Sequence, residues 1–223
     1  MFSVAIDGPA GAGKSTIAKE VAKQLNWVYI DTGAMYRTVA VYCLENDVDV
    51  QNNQQVTNII NKINIDITHI DGEQHILLNS VDVTSAIRTQ EISNLASFVA
   101  THQCVREILV IMQQKLAKHL NVVMDGRDIG TVVLPKANLK IFLTASSEER
   151  ARRRFKEQSI QSFEEILIDI NKRDEVDYNR KISPLKKADD AIVLDTSNLD
   201  IEEVISIIIK MINKGVQSGD YCS

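Results

Sequence analysis

One short segment near the N-terminus constrains the fold of this chain more than any other: residues 8–15 read GPAGAGKS. An apolar run at residues 2–6 precedes it, and a helical pattern at residues 16–25 follows it. The segment fits the pattern G-x-x-x-x-G-K-S, in which backbone N–H groups of a glycine-rich turn wrap phosphates and the next helix directs its positive dipole end at them. The sequence therefore predicts a phosphate-binding loop between a buried strand and a helix.

The residues of this loop are predicted to share the binding of a nucleoside triphosphate and its metal ion. The side chain of Lys14 reaches the terminal phosphates in loops of this kind, and a hydroxyl at the position of Ser15 holds Mg²⁺. The full set predicted to bind the triphosphate is Gly8, Pro9, Ala10, Gly11, Ala12, Gly13, Lys14, Ser15 and Thr16.

The composition of the chain argues against several classes of protein. Its 223 residues, of which 44% are apolar, suit one large α/β domain or one domain with an insertion. No apolar run reaches the roughly 18 residues of a membrane span, and Met1 leads directly into the first apolar run. The three cysteines and four histidines show no metal-ligand spacing, and the net charge is −5. We therefore expect a cytoplasmic protein that binds neither nucleic acid nor a membrane.

Short apolar runs alternate with amphipathic segments along the chain. The candidate strands are residues 2–6, 27–30, 122–124, 139–143 and 191–194. Strands separated by helices predict a five-stranded parallel sheet covered by helices on both faces, which is a three-layer α/β fold. Ligands bind at the carboxyl ends of such strands, so we expect the site among residues 7–15, 31–37, 125–130 and 195–196.

One stretch interrupts this alternation. Residues 63–70 alternate polar and apolar side chains, Asp71 and Gly72 are typical of a hairpin turn, and residues 75–78 and 80–83 resemble further short strands. We predict a small antiparallel β insertion at residues 63–90 that packs against the main domain or covers a ligand, the acceptor nucleotide. The predicted core, which includes part of the acceptor-binding region, is then residues 1–62, 91–146 and 182–214, with helices at residues 90–100 and 105–120. Residues 147–181 are predicted to form a helical basic lid and the helix that follows it, and residues 215–223 a flexible tail.

Charge is unevenly distributed along the chain. Residues 150–187 contain eleven Lys or Arg against seven Asp or Glu, whereas the rest of the chain is acidic. Arg predominates in this segment, and the planar guanidinium group binds phosphate in a bidentate manner. A local positive field in an acidic protein predicts a polyanionic ligand held at one place.

A phosphate-binding loop is shared by kinases, motor ATPases and GTP switches, so the loop alone does not decide the activity. Residues 171–174 fit the guanine-reading pattern N-K-x-D, which favours a GTP switch. That pattern belongs at the end of a buried strand, however, and the preceding residues 163–170 carry apolar side chains at helical spacing. No D-x-x-G pattern follows the strand at residues 122–124 either.

A kinase acting on a small phosphorylated acceptor explains more of the sequence. The second pKa of a phosphate group is near 6, so the attacking oxygen is largely ionised at neutral pH and needs little help from a general base. Such an enzyme must instead neutralise the charge of two polyanions, with several arginines, a lysine and Mg²⁺. Arg37 and Arg127 both follow candidate strands, where these charges are needed.

Several motifs resemble the bacterial cytidylate kinases, a family of nucleoside monophosphate kinases. They are IDGPAGAGKST at residues 6–16, DTGAMYR at 31–37, IRTQE at 87–91, MDGRDIGTVV at 124–133, SEER at 147–150 and SPL at 183–185. The resemblance extends along nearly the whole chain. It implies a P-loop kinase fold with a three-stranded β insertion and a short lid, and the conversion of CMP or dCMP to CDP or dCDP with Mg·ATP as the phosphate donor. We expect the chain to act as a monomer.

The resemblance also implies a role for individual side chains. Thr32, Tyr36 and Arg37 contact the acceptor nucleotide in this family, with Arg37 on its phosphate. Arg127 and Arg180 hold phosphate, while Arg173 and Asp177 meet the sugar. Lys14, Arg127, Arg173 and Arg180 are accordingly the residues expected to take part in catalysis, and Arg150 and Arg154 belong to the lid that closes over the donor phosphates.

Base recognition is assigned by the same resemblance to Ser97, Arg106 and Asp128. The chemistry agrees, because cytosine offers an N4 amino group that a carboxylate accepts, whereas uracil presents an oxygen there. Two alternatives remain. A related kinase acting on UMP or another small acceptor would make little use of Asp128 and Arg106, and a non-catalytic GTP-binding switch would bind guanine at residues 171–174. For Asp125 two roles stay open, since its carboxylate either supports Mg²⁺ or braces the phosphate loop through hydrogen bonds.

Overall fold

A computed structural model describes residues 1–70, 73–157 and 161–218 of the chain. Its strands are β1 (Ser3–Asp7), β2 (Val28–Asp31), β3 (Ile65–Ile70), β4 (Glu73–Leu78), β5 (Val81–Asp82), β6 (Val122–Gly126), β7 (Leu139–Thr144) and β8 (Ile192–Asp195). Its α-helices are α1 (Lys14–Leu25), α2 (Thr32–Glu45), α3 (Asn53–Ile60), α4 (Gln90–Val99), α5 (Gln103–Ala117), α6 (Ser147–Glu157), α7 (Phe163–Asn179) and α8 (Ile201–Ser218).

The main sheet has five parallel strands in the order β2-β6-β1-β7-β8, which confirms the predicted α/β fold. Its central strand, β1, carries Val4, Ala5 and Ile6, all completely buried. A strand buried on both faces must be apolar throughout, and this is why the run was recognisable in the sequence. Asp7 ends β1 opposite Gly126 of β6, so the phosphate loop leaves the sheet beside the turn that follows β6.

Helices cover both faces of the sheet. On one face, Ile17 and Val21 of α1 and Ile208 of α8 pack into one apolar cluster with β1 and β7. The helix α8 runs through Ser218 and thus includes the first part of the segment predicted as a tail, whereas residues 219–223 lie outside the described residues. The packing of α1 on the sheet fixes the direction in which its N-terminus points.

The predicted insertion forms a separate antiparallel sheet in the order β3-β4-β5, with Ile65 opposite Leu78. The turn predicted at residues 71–72 lies outside the described residues. Ile76 and Leu78 belong to the same buried cluster as Met35 of α2. The insertion is therefore packed against the main domain, at the helix that follows β2.

Two helices, α6 and α7, occupy the region predicted as the lid and the helix that follows it. The helix α7 begins with a capping box, in which Ser162 and Glu165 each accept a hydrogen bond from the other's backbone N–H group. Residues 171–174 lie inside α7, so the guanine-reading pattern is not at the end of a strand.

In the described part of the chain no single helix is long and apolar enough to cross a membrane, although α4 and α5 meet that criterion as a pair bent by 102°.

Candidate functional site

The phosphate loop connects β1 to α1 and depends on glycine at two kinds of position. Gly11 and Gly13 have φ angles of +76° and +83°, which side-chain-bearing residues rarely adopt. At Gly8 the reason is contact, because a Cβ atom there would lie 2.1 Å from the carbonyl oxygen of Leu143. The loop can therefore lie directly against β7.

Lys14 points back into this loop. Its Nζ donates a hydrogen bond to the carbonyl oxygen of Pro9 at 2.8 Å, and the residue is only 5% exposed. Burial, together with the positive charge of Arg127, lowers the pKa of Lys14 to about 7. A bound phosphate anion would replace Pro9 as the partner of the ammonium group and raise this pKa again.

Ser15, Asp125 and Tyr29 form a hydrogen-bonded group next to the loop. The hydroxyl of Ser15 donates to Oδ2 of Asp125 at 2.9 Å, and the hydroxyl of Tyr29 donates to Oδ1 at 2.9 Å. Burial, with the neighbouring charge of Asp31, raises the pKa of Asp125 to about 6. Of the two roles left open for Asp125, bracing the loop through Ser15 is the one seen in this geometry.

The same group also fits a magnesium ion. No set of three or more His, Cys, Asp or Glu side chains in the described ranges could hold a metal by itself. Mg²⁺ does not require one, because it usually keeps several waters and binds one or two protein oxygens together with substrate phosphates. The Ser15 hydroxyl at the N-terminus of α1, with the carboxylate of Asp125 behind it, provides such oxygens.

A cavity that we call the acceptor cavity lies between α2, α4, α5, α7 and the turn after β6. Every residue that the resemblance assigned to the acceptor nucleotide lines it: Thr32, Tyr36, Arg37, Ser97, Arg106, Arg127, Asp128, Arg173, Asp177 and Arg180. Sequence reasoning missed its small-residue lining, which is Gly33, Ser93, Ala96, Ala100 and Gly126.

Oppositely charged side chains are paired inside the acceptor cavity. Oδ2 of Asp128 forms an ion pair with Arg106, and Oδ1 of Asp128 lies 3.7 Å from Nη2 of Arg180. Nε of Arg127 donates to Oδ2 of Asp177 at 2.7 Å. Burial would raise the pKa of Asp177, but Arg127 and Arg180 hold it below its usual value. The carboxylate of Asp177 is therefore ionised at neutral pH.

Positive charge nevertheless exceeds negative charge at one side of this cavity. Arg173 is half-buried near Arg127, and its buried Nε has no hydrogen-bond partner among the described residues. Burial, followed by repulsion from Arg127, lowers the pKa of Arg173 to about 10, and Arg154 and Arg37 contribute in the same direction. Guanidinium groups that repel one another in a buried place form a binding site for an anion with several charges.

The predicted lid arginines differ in their contacts. Arg150 is 5% exposed, and its Nη1 donates to the carbonyl oxygen of Ala10 at 2.8 Å and lies 2.7 Å from Oδ2 of Asp174. Its Nε donates to the carbonyl oxygen of Ala145 at 3.0 Å. The guanidinium of Arg150 thus already holds the phosphate loop, whereas Arg154 is hydrogen-bonded to Gln90 and shares a small cavity with Arg173.

Three acidic residues around the site escaped individual assignment from the sequence. Asp7 and Asp31 end parallel strands, and this position was the available signal for both. Asp31 caps α2 by accepting from the N–H of Ala34 at 2.9 Å and also pairs with Arg37 at 2.8 Å. Asp174 carries no comparable signal, since its contact with Ala10 joins residues far apart in the sequence.

The chain is similar to known proteins along nearly its whole length. The family described as cytidylate kinase matches residues 4–214. A protein named cytidylate kinase from Bacillus cereus (strain B4264) is 51% identical over 216 residues, which cover 95% of this chain and 96% of that protein. A protein of the same name from Bacillus thuringiensis (strain Al Hakam) has the same identity and coverage.

Solved structures resemble the chain in fold only. An uncharacterized protein from Eubacterium ventriosum ATCC 27560 aligns with a TM-score of 0.53 and 13% identity, covering 96% of this chain and 98% of that one. A shikimate kinase from Bacteroides thetaiotaomicron aligns with a TM-score of 0.50 and 15% identity, covering 95% and 98%.

Proposed function

The chain belongs to the cytidylate kinase family, and from this we infer that it transfers a phosphoryl group from ATP to CMP or dCMP, giving ADP and CDP or dCDP. One observation supports this activity more than any other. Lys14 of the phosphate loop and Arg127 of the acceptor cavity are close enough for the charge of Arg127 to lower the pKa of Lys14. Donor and acceptor phosphates bound at these two groups would meet between them.

On the donor side, the loop amides and Lys14 bind the triphosphate of ATP. Ser15 contributes an oxygen to Mg²⁺, and Asp125 orients that oxygen through its hydrogen bond. The ion, when bound, neutralises charge that develops on the donor phosphates. Arg154 contributes further positive charge from the lid, and Arg150 holds the loop in shape from the same helix.

On the acceptor side, Arg37, Arg127 and Arg180 bind the phosphate of CMP. The sugar lies against Arg173 and Asp177, and Thr32 and Tyr36 complete the wall. The hydroxyl of Thr32 donates to the backbone oxygen of Asp125 at 2.7 Å, which leaves its own oxygen able to accept. Binding of the acceptor replaces the internal ion pairs with contacts to the nucleotide.

Cytosine is selected by Asp128, Arg106 and Ser97. A carboxylate accepts the N4 amino hydrogen of cytosine and repels the O4 oxygen of uracil, while a guanidinium donates to the remaining acceptors of the base. Cζ of Arg106 lies over the Tyr36 ring, 5.4 Å from its centre, and this contact helps to hold the guanidinium beside Asp128. The kinase thereby prefers CMP and dCMP to UMP.

Catalysis consists of neutralising and aligning charge. The acceptor phosphate is largely ionised at neutral pH, so no residue has to remove a proton from it. Lys14, Arg127, Arg173 and Arg180 stabilise the negative charge of the group in transfer. Closure of α6 and α7 over the donor excludes water, which would otherwise compete as acceptor. Both parts of the site come from one chain, so we propose that a monomer is active.

A direct assay tests this proposal. ADP release is measured with Mg·ATP and CMP, dCMP, UMP, AMP or GMP in turn, and GTP and GDP binding is measured in parallel. We expect rapid turnover with CMP and dCMP and slow turnover with the others. Rapid turnover with UMP alone would favour the alternative that the chain is a UMP kinase. No turnover with any monophosphate, combined with tight GTP binding, would overturn the proposal that the chain is a kinase. Light scattering of the purified chain tests whether it is a monomer.

A further inference from the structure

The side chain of Asp7 connects the two halves of the site. Asp7 is the last residue of β1, and Gly8 of the phosphate loop follows it directly. Its Oδ1 accepts a hydrogen bond from the backbone N–H of Ile129 at 2.7 Å, and its Oδ2 accepts one from the N–H of Gly130 at 2.7 Å. The residue is 4% exposed, so solvent does not compete for these bonds.

The segment that Asp7 holds carries the groups proposed to recognise the acceptor. Arg127 and Asp128 leave β6 and enter a five-residue π-helix, Ile129–Val133. A π-helix is rare and is frequently found at a functional site. Asp128 is its N-cap residue, so the placement of the Asp128 carboxylate depends on where this helix begins.

The start of such a helix has unpaired N–H groups that need acceptors. The backbone oxygen of Asp128 accepts from Val132 and Val133, at 2.9 and 3.2 Å, but the first N–H groups of the segment have no acceptor within it. A carboxylate that takes two of them forms charge-assisted bonds in a buried place. Among the described residues, no side chain other than that of Asp7 accepts from the N–H groups of Ile129 and Gly130.

Two glycines permit this close arrangement. A Cβ atom at Gly130 would lie 3.3 Å from Oδ2 of Asp7 and 3.1 Å from Cδ of Lys140. A Cβ atom at Gly126 would lie 2.6 Å from Cδ1 of Ile129 and 2.7 Å from Oγ1 of Thr32. The turn therefore fits tightly between β1, β7 and α2, with Asp7 as its polar anchor.

We propose that Asp7 is a positioning residue for acceptor recognition: its carboxylate fixes the start of the π-helix and so places Asp128 and Arg127 against the acceptor nucleotide. Asp7 does not touch the nucleotide itself. Its loss should therefore weaken binding of CMP and its discrimination from UMP, while the phosphate loop keeps its own amides and Lys14 for ATP. This inference rests on the proposed function.

The test compares Asp7→Asn with the unaltered chain. An amide keeps one acceptor oxygen but turns an NH₂ group toward one of the two N–H groups, so the anchor is lost at almost constant volume. We expect KM for CMP to rise about 10- to 100-fold and the CMP:UMP ratio of kcat/KM to fall about tenfold, because small displacements of positioning groups have effects of this size. KM for ATP should change less than about threefold. Calorimetry should show the same loss of CMP affinity without turnover.

Two further variants separate positioning from general destabilisation. Ile208→Val removes one methylene from the core cluster of α8 and does not line the acceptor cavity. It should lower the melting temperature and leave the CMP:UMP ratio unchanged. Gly130→Ala crowds Oδ2 of Asp7 from the other side and should reproduce the shift in that ratio, which keeps the test usable if Asp7→Asn fails to fold.

Each outcome decides one of the two proposals. If the unaltered chain prefers CMP and the Asp7 or Gly130 variants lose that preference, the positioning role is supported. If those variants only melt at lower temperature, as Ile208→Val does, Asp7 is an ordinary buried capping group and the inference is wrong. If the unaltered chain shows no preference for CMP, the proposed function fails first.

Discussion

Arg106 and Asp128 form a buried ion pair in the wall of the acceptor cavity, with side chains only 4% and 5% exposed. Arg180 lies 3.7 Å from the second oxygen of Asp128, so one carboxylate faces two guanidinium groups. Such a site keeps its charges in place before any ligand arrives. On the proposed function, Asp128 accepts a hydrogen bond from the base, so a base that presents an oxygen there would be repelled.

Asp128→Asn should remove this selection. We expect kcat/KM for CMP to fall about 10- to 100-fold, since one well-placed bond to a base edge contributes about 1–3 kcal/mol of discrimination. Activity with UMP should fall less, or rise, because an amide can donate to O4. Initial rates with both acceptors give the ratio, and Asp190→Asn serves as an exposed control. An unchanged ratio would remove Asp128 from base recognition.

ATP binding should take up a proton through Lys14. Burial and Arg127 lower the pKa of this lysine to about 7, so at pH 8 roughly nine tenths of it is neutral. Bound phosphates should raise this pKa, whereas Asp7 and Asp125, with pKa values of about 6, are ionised at pH 8.

The uptake is measured by titrating ATP without Mg²⁺ at pH 8 in two buffers of different ionisation enthalpy. We expect most of one proton per ATP, and close to none for Lys14→Met. A buffer-independent binding enthalpy for the unaltered chain would contradict the lowered pKa.

Asp125 should make stability depend on pH. Burial raises its pKa from 3.8 to about 6, so between these values the folded chain keeps a proton that the unfolded chain has released. This contribution to the free energy of unfolding is complete below about pH 4 and is lost as pH rises through about 6. The variant Asp125→Asn has no carboxyl group to titrate, so its free energy of unfolding does not fall in this way.

At pH 7 we therefore expect the free energy of unfolding of Asp125→Asn to exceed that of the unaltered chain by about 1–3 kcal/mol. Near pH 4 the two free energies should be equal. Denaturant titration at both pH values measures the difference. Asp195→Asn is a control of opposite sign. Its carboxylate accepts from the hydroxyl of Ser197 at 2.7 Å and has a lowered pKa, so its replacement should not stabilise the chain at pH 7. A gain for Asp125→Asn that is equal at both pH values would show that titration is not its cause.

Much of this architecture was predictable because its causes are local. The apolar runs of β1, β6 and β7 are buried on both faces of the sheet, and strands of that kind show no alternation to obscure them. The glycines of the phosphate loop were recognisable because their backbone conformations exclude other residues. Acidic residues at strand ends could be expected to face the site, although not which atoms they would bind.

The contacts that complete the site depend on tertiary packing and left no pattern. Asp7 meets Ile129 and Gly130 only because β1 and β6 are neighbours in the sheet. Arg150 belongs to an arginine-rich helix in which every member resembled a phosphate ligand. Burial of this one guanidinium against Ala10 distinguishes it, and burial is decided by how α6 packs on the loop.

Arg150 provides the last prediction, since it was assigned to the donor phosphates and is found bound to the phosphate loop and Asp174. Removing one member of a buried ion pair leaves the other without a partner and costs about 3–5 kcal/mol, whereas replacing both with apolar groups can be nearly neutral. Arg150→Met should therefore lower the free energy of unfolding of the nucleotide-free chain by about 3 kcal/mol, and the double variant Arg150→Met with Asp174→Leu should recover at least half of that loss.

The control is Arg152→Met, since the side chain of Arg152 is 59% exposed. Chemical denaturation measures all three variants, and ATP titration follows. If Arg150→Met keeps full stability and loses only ATP affinity, Arg150 acts as a phosphate ligand and not as a clamp on the loop.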